Sequence, residues 1–539
     1  MKYSPAPFPE HLVASYRAMS LHTDATLPAL MRRNLYEFGS VPCVMDGEHT
    51  ICWADLLDAA FRFAGFLHAS GIGPGDVVVW QLPNWWEAVA VAHGIWAAGA
   101  VSAPVVPTYR EHELRGVIES VGPKCVVVAR RFGRIDYVDL VDAVLTGSGS
   151  PVATRVVVRG SSPGWTAWGE AIAGPQWVAP AVDPAAPALV GFTSGTTSGS
   201  KAVVMSTRTL LAVPMRHVRA VPYTWRDRGY MPAPVSHATG LLMAVSLPLV
   251  SGGTAVLADR WDADRAVGDI RGHGVTYSAG AEVFIRELVE AVEAAGLGAL
   301  PLTCGYNCGG STIAPDLVGR AEALQMNPRR AYGMTECPTV SASTTFDSPE
   351  VRLTTDGRLL PGCEIKVVSP DGHDLGTGSV GELVVRGPQR ALGYVDPTHT
   401  AEGFDPDGWF RSGDLGRVDG DGYVTVTGRT KDIINRGGEK LSAREIEEAV
   451  ARHPGVREVA VVAARHPRLG EEPAAFVILD RPGPDGEQLA AFLRDEGLAS
   501  YKIPRRWIRV EQLPRTPSGK VKKYELVERL ATPSPSDGT

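Results

Sequence analysis

Hydrophobic and polar positions follow two alternating patterns along the first four hundred residues. Short, valine-rich apolar runs, such as residues 76–80 and 124–129, are typical of strands buried on both faces. Longer stretches with helical spacing of apolar residues, such as 53–71 and 85–99, lie between these runs. Strands that alternate with helices in this way predict a layered α/β fold with largely parallel sheets.

A second pattern begins near Glu364. Short strands at 364–368, 381–387 and 423–428 are accompanied by Asp-Gly turns, which predicts β-rich hairpins. The residues beyond Gly428 predict a separate, small α+β unit. Its predicted elements are a helix from Ser442, strands over 456–466 and 474–479, a helix over 486–498, a strand near 507–510 and a terminal helix near 521–531.

Composition narrows the class of protein. The 539 residues exceed one ordinary domain, and a hydrophobic content of 44% excludes a disordered or fibrous protein. The formal net charge of −7 argues against nucleic-acid binding by the molecule as a whole. This average hides a local excess, because residues 502–523 hold eight basic side chains against the single acidic Glu511. We expect this basic stretch to attract a phosphate-bearing substrate.

Targeting and metal signals are absent from the sequence. The longest uncharged apolar run, 238–258, is divided by Pro248 and by a turn at 251–253, which predicts a helix and a strand rather than a membrane span. The first residues do not show the basic and apolar regions of a signal peptide. Seven cysteines without paired CxxC spacing favour neither a disulfide framework nor a zinc site. We therefore expect a cytoplasmic location.

One loop concentrates small and hydroxylated residues. Residues 191–201 contain three glycines and six hydroxyl side chains and end at Lys201. Small side chains expose backbone N–H groups to an anion and the lysine adds positive charge, so the loop predicts phosphate binding. Ser200 and Ala202 break the Walker A pattern, and a strand rather than a helix is predicted to follow. A flexible Ser/Gly linker is the alternative interpretation.

The loop resembles the phosphate loop of the adenylate-forming (ANL) superfamily, which includes acyl-CoA synthetases, luciferases and peptide-synthetase adenylation domains. Ser198, Ser200 and Ala202 replace the glycine, proline and glycine usual in that loop. Seven further motifs resemble those of the superfamily in the same order along nearly the whole chain. They lie at residues 234–240, 309–311, 331–336, 409–414, 428–432, 437–440 and 514–520.

This resemblance implies both a fold and a domain division. The implied fold is α/β, with a large N-terminal domain of two layered sheets and a small β-barrel, and a small, mobile α+β C-terminal domain. We place the AMP-binding N-terminal domain at residues 1–430, the C-terminal lid at 431–532 and a disordered tail at 533–539. Lys431 stands where the superfamily has its hinge, so the small domain is expected to rotate there.

The resemblance also implies a reaction. A small carboxylic acid would attack the α-phosphate of ATP, with Mg²⁺ as cofactor, and the resulting acyl-adenylate would pass its acyl group to coenzyme A, as in an AMP-dependent acid-thiol ligase. A carrier protein in trans and a nitrite-activating, diazotase-like reaction are alternative routes, and an inactive nucleotide-binding relative is the alternative of another class. A homodimer is left open, and neither a nucleic acid nor a membrane is expected as partner.

Individual roles follow from the motifs that match. Lys520 is expected to bridge the substrate carboxylate and the α-phosphate, Thr335 to contact that phosphate and Glu336 to hold Mg²⁺. Asp414 is expected to contact the ribose, and Arg429 is expected to contact the ribose or a phosphate. The full set implied for ATP or AMP is Thr193, Ser194, Gly195, Thr196, Thr197, Lys201, Gly310, Ser311, Tyr332, Gly333, Met334, Thr335, Asp414, Arg429 and Lys520.

Each of these residues has an ordinary interpretation when it is taken alone. Lys520 would then be a solvated lysine, Arg429 a surface partner of Asp432, and His237 a packed core histidine. The resemblance instead implies that His237 positions the substrate carboxylate. The implied acyl pocket is small, mostly apolar and suited to an aryl, cyclic or medium-length aliphatic acid; it consists of His237, Ala238, Thr239, Ser278, Ala279, Cys308 and Met334. Gly437, Gly438 and Lys440 are expected at the coenzyme A channel.

Overall fold

The computed structural model describes residues 3–148, 152–193, 201–221, 223–309, 315–344 and 346–531. The helices are α1 Glu10–Ala18, α2 Leu27–Phe38, α3 Trp53–Ala69, α4 Trp86–Ala97, α5 Glu111–Val121, α6 Tyr137–Ser148, α7 Trp168–Ala171, α8 Thr207–Ala220, α9 Ala238–Gly240, α10 Leu247–Ser251, α11 Ala263–Gly272, α12 Glu282–Ala294, α13 Pro315–Ala323, α14 Pro349–Thr354, α15 Pro397–Gly403, α16 Ala443–Ala451, α17 Gly486–Asp495 and α18 Lys523–Ala531. A π-helical segment covers Leu241–Ser246, and a 3₁₀ turn covers Thr430–Asp432.

The strands are β1 Pro42–Asp46, β2 His49–Cys52, β3 Val77–Gln81, β4 Val101–Pro104, β5 Cys125–Ala129, β6 Arg131–Phe132, β7 Ile135–Asp136, β8 Thr154–Val158, β9 Thr166–Ala167, β10 Pro187–Phe192, β11 Ala202–Ser206, β12 Arg228–Met231, β13 Thr254–Leu257, β14 Tyr277–Gly280, β15 Gly305–Gly309, β16 Pro328–Met334, β17 Cys337–Ala342, β18 Arg358–Leu359, β19 Glu364–Val368, β20 Gly381–Arg386, β21 Gly393–Tyr394, β22 Phe410–Val418, β23 Val424–Arg429, β24 Ile433–Arg436, β25 Glu439–Ser442, β26 Val456–His466, β27 Gly470–Leu479 and β28 Arg506–Arg509.

Two large mixed sheets form the N-terminal body. One has the strand order β18-β17-β16-β15-β14-β12-β13-β1-β2, and the other has the order β21-β11-β10-β4-β3-β5-β8-β9. The central strands of both sheets run parallel, and antiparallel strands lie at both edges of the first sheet and at one edge of the second. The predicted layered α/β fold is thereby confirmed.

Local sequence explains these elements well. Every residue of β3 is buried, as the unbroken run of valines requires for a parallel strand covered on both faces. The predicted helices at 53–71 and 85–99 correspond to α3 and α4, and α4 is buried on all sides. The apolar run 238–258 divides as predicted, because helical turns end at Gly252 with a φ of +78° and β13 follows.

The β-rich region after Glu364 is a four-stranded antiparallel sheet in the order β19-β20-β22-β23. Its hairpin turns contain Gly372 and Gly422, both at positive φ, as the Asp-Gly signals predict. The last strand of this sheet, β23, brings the chain through the 3₁₀ turn into the C-terminal unit. The carboxyl end of β23 therefore lies at the junction of the two units.

The C-terminal unit has its own sheet, in the order β25-β24-β27-β26, with β28 parallel to β27. Its buried apolar residues, among them Ile434, Ile446 and Val477, form clusters separate from the large N-terminal core. Ser442 caps α16 by accepting a hydrogen bond from the amide of Glu445, at the helix start that the sequence predicts. The division at 430/431 lies in the 3₁₀ turn and stays a prediction, and the tail 533–539 lies outside the described residues.

Across the described residues, no helix combines the length and the apolar composition that are needed to cross a membrane.

Candidate active site

The candidate site lies where the two large sheets, the antiparallel sheet and the C-terminal unit meet. Thr335 and Glu336 follow the carboxyl end of β16, and Lys201 directly precedes β11 in the hairpin that β11 forms with β10. The carboxyl ends of parallel strands are the usual position for ligands in open α/β sheets. The C-terminal unit reaches the same place through the loop that carries Lys520.

A buried carboxylate connects the antiparallel sheet to β16. Asp414 is 3% exposed; its Oδ1 lies 2.7 Å from Nε of Arg429, and its Oδ2 accepts a hydrogen bond from the phenol of Tyr332 over 3.0 Å. The pairing of β22 with β23 sets Asp414 directly opposite Arg429. Burial and the neighbouring carboxylate raise the pKa of Tyr332, and Asp414 raises the pKa of Arg429. A carboxylate oxygen accepts more than one hydrogen bond, so Asp414 keeps capacity for further donors.

A second buried carboxylate lies after β16. Oε1 of Glu336 accepts a hydrogen bond from the phenol of Tyr394 over 2.6 Å, and Nζ of Lys201 lies 5.4 Å from the centre of the Tyr394 ring. Burial, followed by the charge of Glu336, raises the pKa of Tyr394. Tyr394 thus connects the lysine of the predicted phosphate loop to the predicted metal-binding carboxylate. Sequence reasoning missed Tyr394, since a single tyrosine after a glycine carries no local signal.

Mg²⁺ fits this second carboxylate. Glu336 is buried, and among the described residues no basic side chain forms an ion pair with it. Mg²⁺ is usually bound through one or two carboxylates together with substrate phosphates, so a lone buried carboxylate beside a phosphate loop suits it. The described part of the chain contains no group of three or more His, Cys, Asp or Glu side chains that could hold a metal by themselves.

Lys520 reaches the site from a tight turn in the C-terminal unit. The amide of Lys520 donates to Oγ1 of Thr516 over 3.1 Å, and the amide of Thr516 donates to the Lys520 carbonyl over 2.7 Å. Burial, assisted by the charge of Arg429, lowers the pKa of Lys520 to about 8, while Asp414 and Glu336 oppose this shift. The charge of the ammonium therefore interacts with groups that are predicted to bind the nucleotide.

Gly519 allows the lysine turn to approach the N-terminal body closely. It has a φ of +88°, and a β-carbon there would lie 2.8 Å from Cγ1 of Val283 and 3.0 Å from Cβ of Ala281. Further along α12, Glu290 forms an ion pair of 3.3 Å with Arg457 of the C-terminal unit. The small unit therefore contacts α12 both at its start and further along, at Glu290.

His237 lies close to Lys520 and precedes α9. Burial and the charge of Lys520 lower the pKa of His237 to about 4, so the imidazole is neutral near pH 7. Its Nδ1 is buried and has no hydrogen-bond partner among the described residues. A small apolar cavity adjoins this ring, lined in part by Ala238, Leu241 and Thr335. A neutral imidazole with an unused nitrogen beside a cavity can hydrogen-bond a small ligand.

The residues of the predicted acyl pocket that lie in strands do not all share one face of the sheet. Ala279 pairs with Asn307 of β15 on one face. Ser278 is directed the other way and donates from its hydroxyl to the Tyr230 carbonyl over 2.9 Å, and Cys308 alternates with Asn307 in the same manner. Thr239 and Met334 are half-buried. The structure therefore brings Ala279 and Asn307 together, whereas Ser278 and Cys308 belong to the opposite face.

The remaining predicted residues are spread over loops and turns. Thr193 donates from its amide to the Lys201 carbonyl over 3.0 Å, and Gly333 packs so closely on β17 that a β-carbon would lie 2.2 Å from the Thr339 nitrogen. Lys431 is exposed in the 3₁₀ turn, and Gly437, Gly438 and Lys440 are exposed around the turn between β24 and β25. Ser194, Gly195, Thr196, Thr197, Gly310 and Ser311 lie outside the described residues.

Together, these features define a candidate ligand site between a large α/β body and a small C-terminal unit. The family model described as AMP-binding enzyme matches residues 31–395, and that described as AMP-binding enzyme C-terminal domain matches residues 445–520. The chain therefore belongs to the family of AMP-binding enzymes, as the sequence motifs predict.

Similar proteins extend over nearly the whole chain. A medium-chain fatty-acid–CoA ligase of Escherichia coli (strain K12) is 34% identical over 544 residues, covering 96% of this chain and 93% of that protein. Triostin synthetase I of Streptomyces triostinicus is 33% identical over 526 residues, covering 96% of this chain and 97% of that protein. The crystal structure of ATP-bound MatB from Rhodopseudomonas palustris has a TM-score of 0.82 at 28% identity, covering 93% of this chain and 98% of that chain.

Proposed function

We propose that this enzyme uses ATP to activate a small carboxylic acid as an acyl-adenylate and then transfers the acyl group to coenzyme A. In the first step a carboxylate oxygen forms a bond to the α-phosphorus, and pyrophosphate leaves. In the second step the sulfur of the thiol forms a bond to the acyl carbon, and AMP leaves while the thiol proton passes to solvent or a base. The net products are an acyl-CoA, AMP and pyrophosphate.

The observation that carries this proposal is the position of Lys520. The charges of Asp414 and Glu336 raise the pKa of its ammonium, its own charge lowers the pKa of His237, and the turn that carries it belongs to the other unit of the chain. Two anions, the carboxylate and the α-phosphate, must approach each other in the first step, and a fixed cation between them lowers the cost of that approach. A lysine supplied by a separable lid can do this in one half-reaction and withdraw in the next.

Asp414, Tyr332 and Arg429 form the proposed ribose site. Asp414 would accept hydrogen bonds from the ribose hydroxyls while Tyr332 and Arg429 hold its carboxylate in place. Lys201 would contact the β- and γ-phosphates together with the loop that precedes it. Thr335 would donate to the α-phosphate, since it follows the last residue of β16 at the strand end.

Glu336 and the phosphates would together hold Mg²⁺. The bound ion would neutralise part of the phosphate charge. Tyr394 orients the carboxylate of Glu336 by donating to Oε1. Neutral His237 would hydrogen-bond the substrate carboxylate, because its buried Nδ1 has no partner among the described residues. The apolar residues around Ala238 would hold the neighbouring part of the acid.

Coenzyme A is the proposed acceptor because an exposed, glycine-containing turn lies on the lid. Gly437 and Gly438 have φ values of +60° and +97°, and Lys440 is exposed on the same hairpin. Glycines without side chains allow close backbone contact with a narrow thiol arm, and the lysine can pair with a phosphate. The E. coli relative, a CoA ligase by name, supports this choice of acceptor.

The test is acid-dependent pyrophosphate release by the purified protein, measured over a panel of aliphatic and aromatic acids with and without coenzyme A. We expect ATP–pyrophosphate exchange with the accepted acids and thioester formation only when coenzyme A is present. Pyrophosphate release without any thioester would assign the second step to another acceptor. The absence of exchange with every acid would contradict the proposal altogether.

A further inference from the structure

Arg329 is a buried guanidinium whose charge has no carboxylate partner among the described residues. It lies in β16 and is 3% exposed, and its Nη2 donates to the Cys304 carbonyl. Its Nε is buried and has no acceptor in the described part of the chain. The adjacent Arg330 differs, because it forms a buried ion pair of 3.0 Å with Asp356. A buried, uncompensated cation is costly and therefore calls for a functional explanation.

The neighbouring strand makes room for this guanidinium. Gly305 of β15 has a φ of +83°, and a β-carbon there would lie 2.9 Å from Nε and 3.0 Å from Nη2 of Arg329. Asp227 is an acidic side chain of this part of the sheet, and it accepts hydrogen bonds from Oγ1 of Thr276 over 2.9 Å and from Sγ of Cys304 over 3.4 Å. Asp227 is thus engaged elsewhere and does not neutralise Arg329.

Unused hydrogen-bonding atoms gather around Arg329. The rings of His217 and Tyr277 lie 4.8 Å apart, and those of Tyr277 and Tyr223 lie 5.7 Å apart. Nε2 of His217 and the phenol of Tyr223 are buried without partners among the described residues. Burial, assisted by the charge of Arg329, lowers the pKa of His217 to about 3, so this imidazole is neutral. Three side chains therefore have donors or acceptors that the fold itself does not satisfy.

The strand register connects this cluster to the proposed acyl surface. Asn307 pairs with Arg329 on one side and with Ala279 on the other, so all three share one sheet face. Asn307 is half-buried, and its Nδ2 donates to the phenol of Tyr277 over 3.0 Å. Gly333 lies four residues beyond Arg329 on the same face, about 13 Å of extended strand. Arg329 is consequently at the end of this face remote from Thr335 and Lys520.

The opposing wall can adjust to a ligand. The π-helical segment Leu241–Ser246 faces this region, and Sδ of Met243 accepts a hydrogen bond from the Tyr277 phenol over 3.3 Å. π-Helical turns occur frequently at functional sites, and methionine adapts its shape more readily than branched residues. The polar cluster thus lies between a fixed sheet and an adaptable wall.

We propose that Arg329, together with Asn307 and His217, recognises an oxygen acceptor at the end of the acid remote from the reacting carboxylate. The group is a second carboxylate, a keto oxygen or a phenolic oxygen, carried on a ring system or a medium-length chain. This inference rests on the proposed function and specifies its substrate class. A site whose buried polar atoms need a partner discriminates strongly against an analogue that lacks one.

The experiment compares matched acids that differ only in the distal group. Straight-chain monocarboxylic acids of graded length are set against the corresponding ω-keto acids and dicarboxylic acids, and benzoic and naphthoic acids against their ring-hydroxylated forms. The readout is kcat/KM from pyrophosphate release. For the wild-type chain we expect a preference of about a hundred-fold for the best oxygen-bearing acid over its matched analogue. The keto, carboxylate and hydroxyl series identify which oxygen is recognised.

Three variants assign that preference to the cluster. Arg329→Met keeps the volume but removes the charge, and we expect the preference to fall to within a few-fold, mainly through KM. Asn307→Leu changes a half-buried position and should also reduce the preference. It therefore tests the proposal even if Arg329→Met does not fold. Arg320→Met, on the exposed α13 ion pair with Glu293, is the matched control and should leave the preference unchanged. Thermal unfolding of each variant verifies that the fold is retained.

The outcomes separate this inference from the proposed function. The inference is overturned if the wild-type protein activates acids but uses matched acids equally well. It is also overturned if folded Arg329→Met and Asn307→Leu retain the preference. Either result leaves the proposed function standing. The absence of pyrophosphate release with every acid overturns both.

Discussion

Tyr394 donates a hydrogen bond from its phenol to Oε1 of Glu336 over 2.6 Å, and both side chains are buried. Tyr394 lies in β21, the edge strand that pairs with β11, whereas Glu336 follows β16 of the other large sheet. One hydrogen bond therefore connects the two sheets at the position where the metal and the phosphates are proposed to bind. The same ring lies 5.4 Å from Nζ of Lys201, which adds a cation–π contact.

Tyr394→Phe should weaken use of Mg²⁺ while it retains the ring. The loss of the phenol frees the Glu336 carboxylate to rotate, and the loss of such orienting hydrogen bonds typically costs about ten- to a hundred-fold in metal affinity or activity. We expect the Mg²⁺ concentration for half-maximal ATP–pyrophosphate exchange to rise by about ten-fold. A titration of exchange rate against Mg²⁺ measures this directly.

Tyr423→Phe is the matched control for this change. Its phenol also donates to a carboxylate, Oδ1 of Asp347 over 3.0 Å, but outside the candidate site. The control should leave the Mg²⁺ dependence unchanged. An equal shift in both variants would contradict the role proposed for Tyr394.

Much of the fold follows from local sequence. The valine run of β3 and the helix start at Ser442 could both be predicted, because hydrophobic period and side-chain capping act over a few residues. The π-helical segment Leu241–Ser246 could not be predicted in this way. It has no distinct local pattern, and an apolar helical run looks the same with either hydrogen-bond register.

The candidate site was predictable where the motifs are local and hidden where contacts are distant in sequence. The motifs predict that Asp414 and Lys520 share one site, and in the structure the charge of Asp414 raises the pKa of Lys520. The contact of Tyr394 with Glu336 spans 58 residues, and it depends on how β21 pairs with β11. The space that Gly305 provides for Arg329 likewise depends on strand register, which the sequence pattern alone does not specify.

Gly519→Ala should displace Lys520 from its position in the candidate active site. The new methyl group would meet Val283 at 2.8 Å, and the φ of +88° disfavours any side chain. Displacement of a reacting group by about 1 Å can cost about a hundred-fold in rate. We therefore expect ATP–pyrophosphate exchange to fall about a hundred-fold, while thioester formation from a synthetic acyl-adenylate stays close to wild type.

Gly497→Ala is the control that separates the effect of a steric contact with α12 from the effect of backbone strain at a glycine with positive φ. Gly497 has a similar φ of +81°, but a β-carbon there would meet nothing within 4 Å. The control should lose some stability and retain exchange. If both variants lose exchange to the same extent, the close approach of Gly519 to α12 is not the cause.

The pH dependence of adenylation should have a basic limb. Burial lowers the pKa of Lys520 to about 8, so the ammonium is charged below this pH and neutral above it. We expect kcat/KM for exchange to fall about ten-fold per pH unit well above pH 8. The pKa of His237 is lowered to about 4, so this imidazole contributes no limb between pH 6 and pH 8.

Lys520→Arg tests the assignment of this limb, since a guanidinium remains charged throughout the measurable range. The variant should be slower but should lose the limb near pH 8. The folded state binds a proton less tightly than the unfolded state at Lys520, so between pH 8 and pH 10.5 this group makes the free energy of unfolding rise with pH. A limb near pH 8 that persists in Lys520→Arg would contradict the assignment.

The turn around Lys431 is the proposed hinge between the two units. It is a single 3₁₀ turn, Thr430–Asp432, between β23 of the antiparallel sheet and β24 of the C-terminal sheet. Oγ1 of Thr430 donates to the Gly413 carbonyl over 3.1 Å, and Oγ of Ser442 donates to the Thr427 carbonyl over 2.7 Å. These hydrogen bonds, and the ion pair of Arg457 with Glu290, would have to change for the lid to rotate.

Lys431→Pro should spare the first half-reaction and impair the second. Proline fixes φ near −65°, which suits the observed 3₁₀ turn but removes the rotation that a swinging lid requires. We expect ATP–pyrophosphate exchange within about two-fold of wild type, and a fall of about ten-fold or more in thioester formation in single-turnover assays with coenzyme A. Lys431→Ala removes the charge without fixing φ, so it should support both half-reactions. Equal loss of exchange and thioester formation in the proline variant would mean that Lys431 supports the site rather than the motion of the lid.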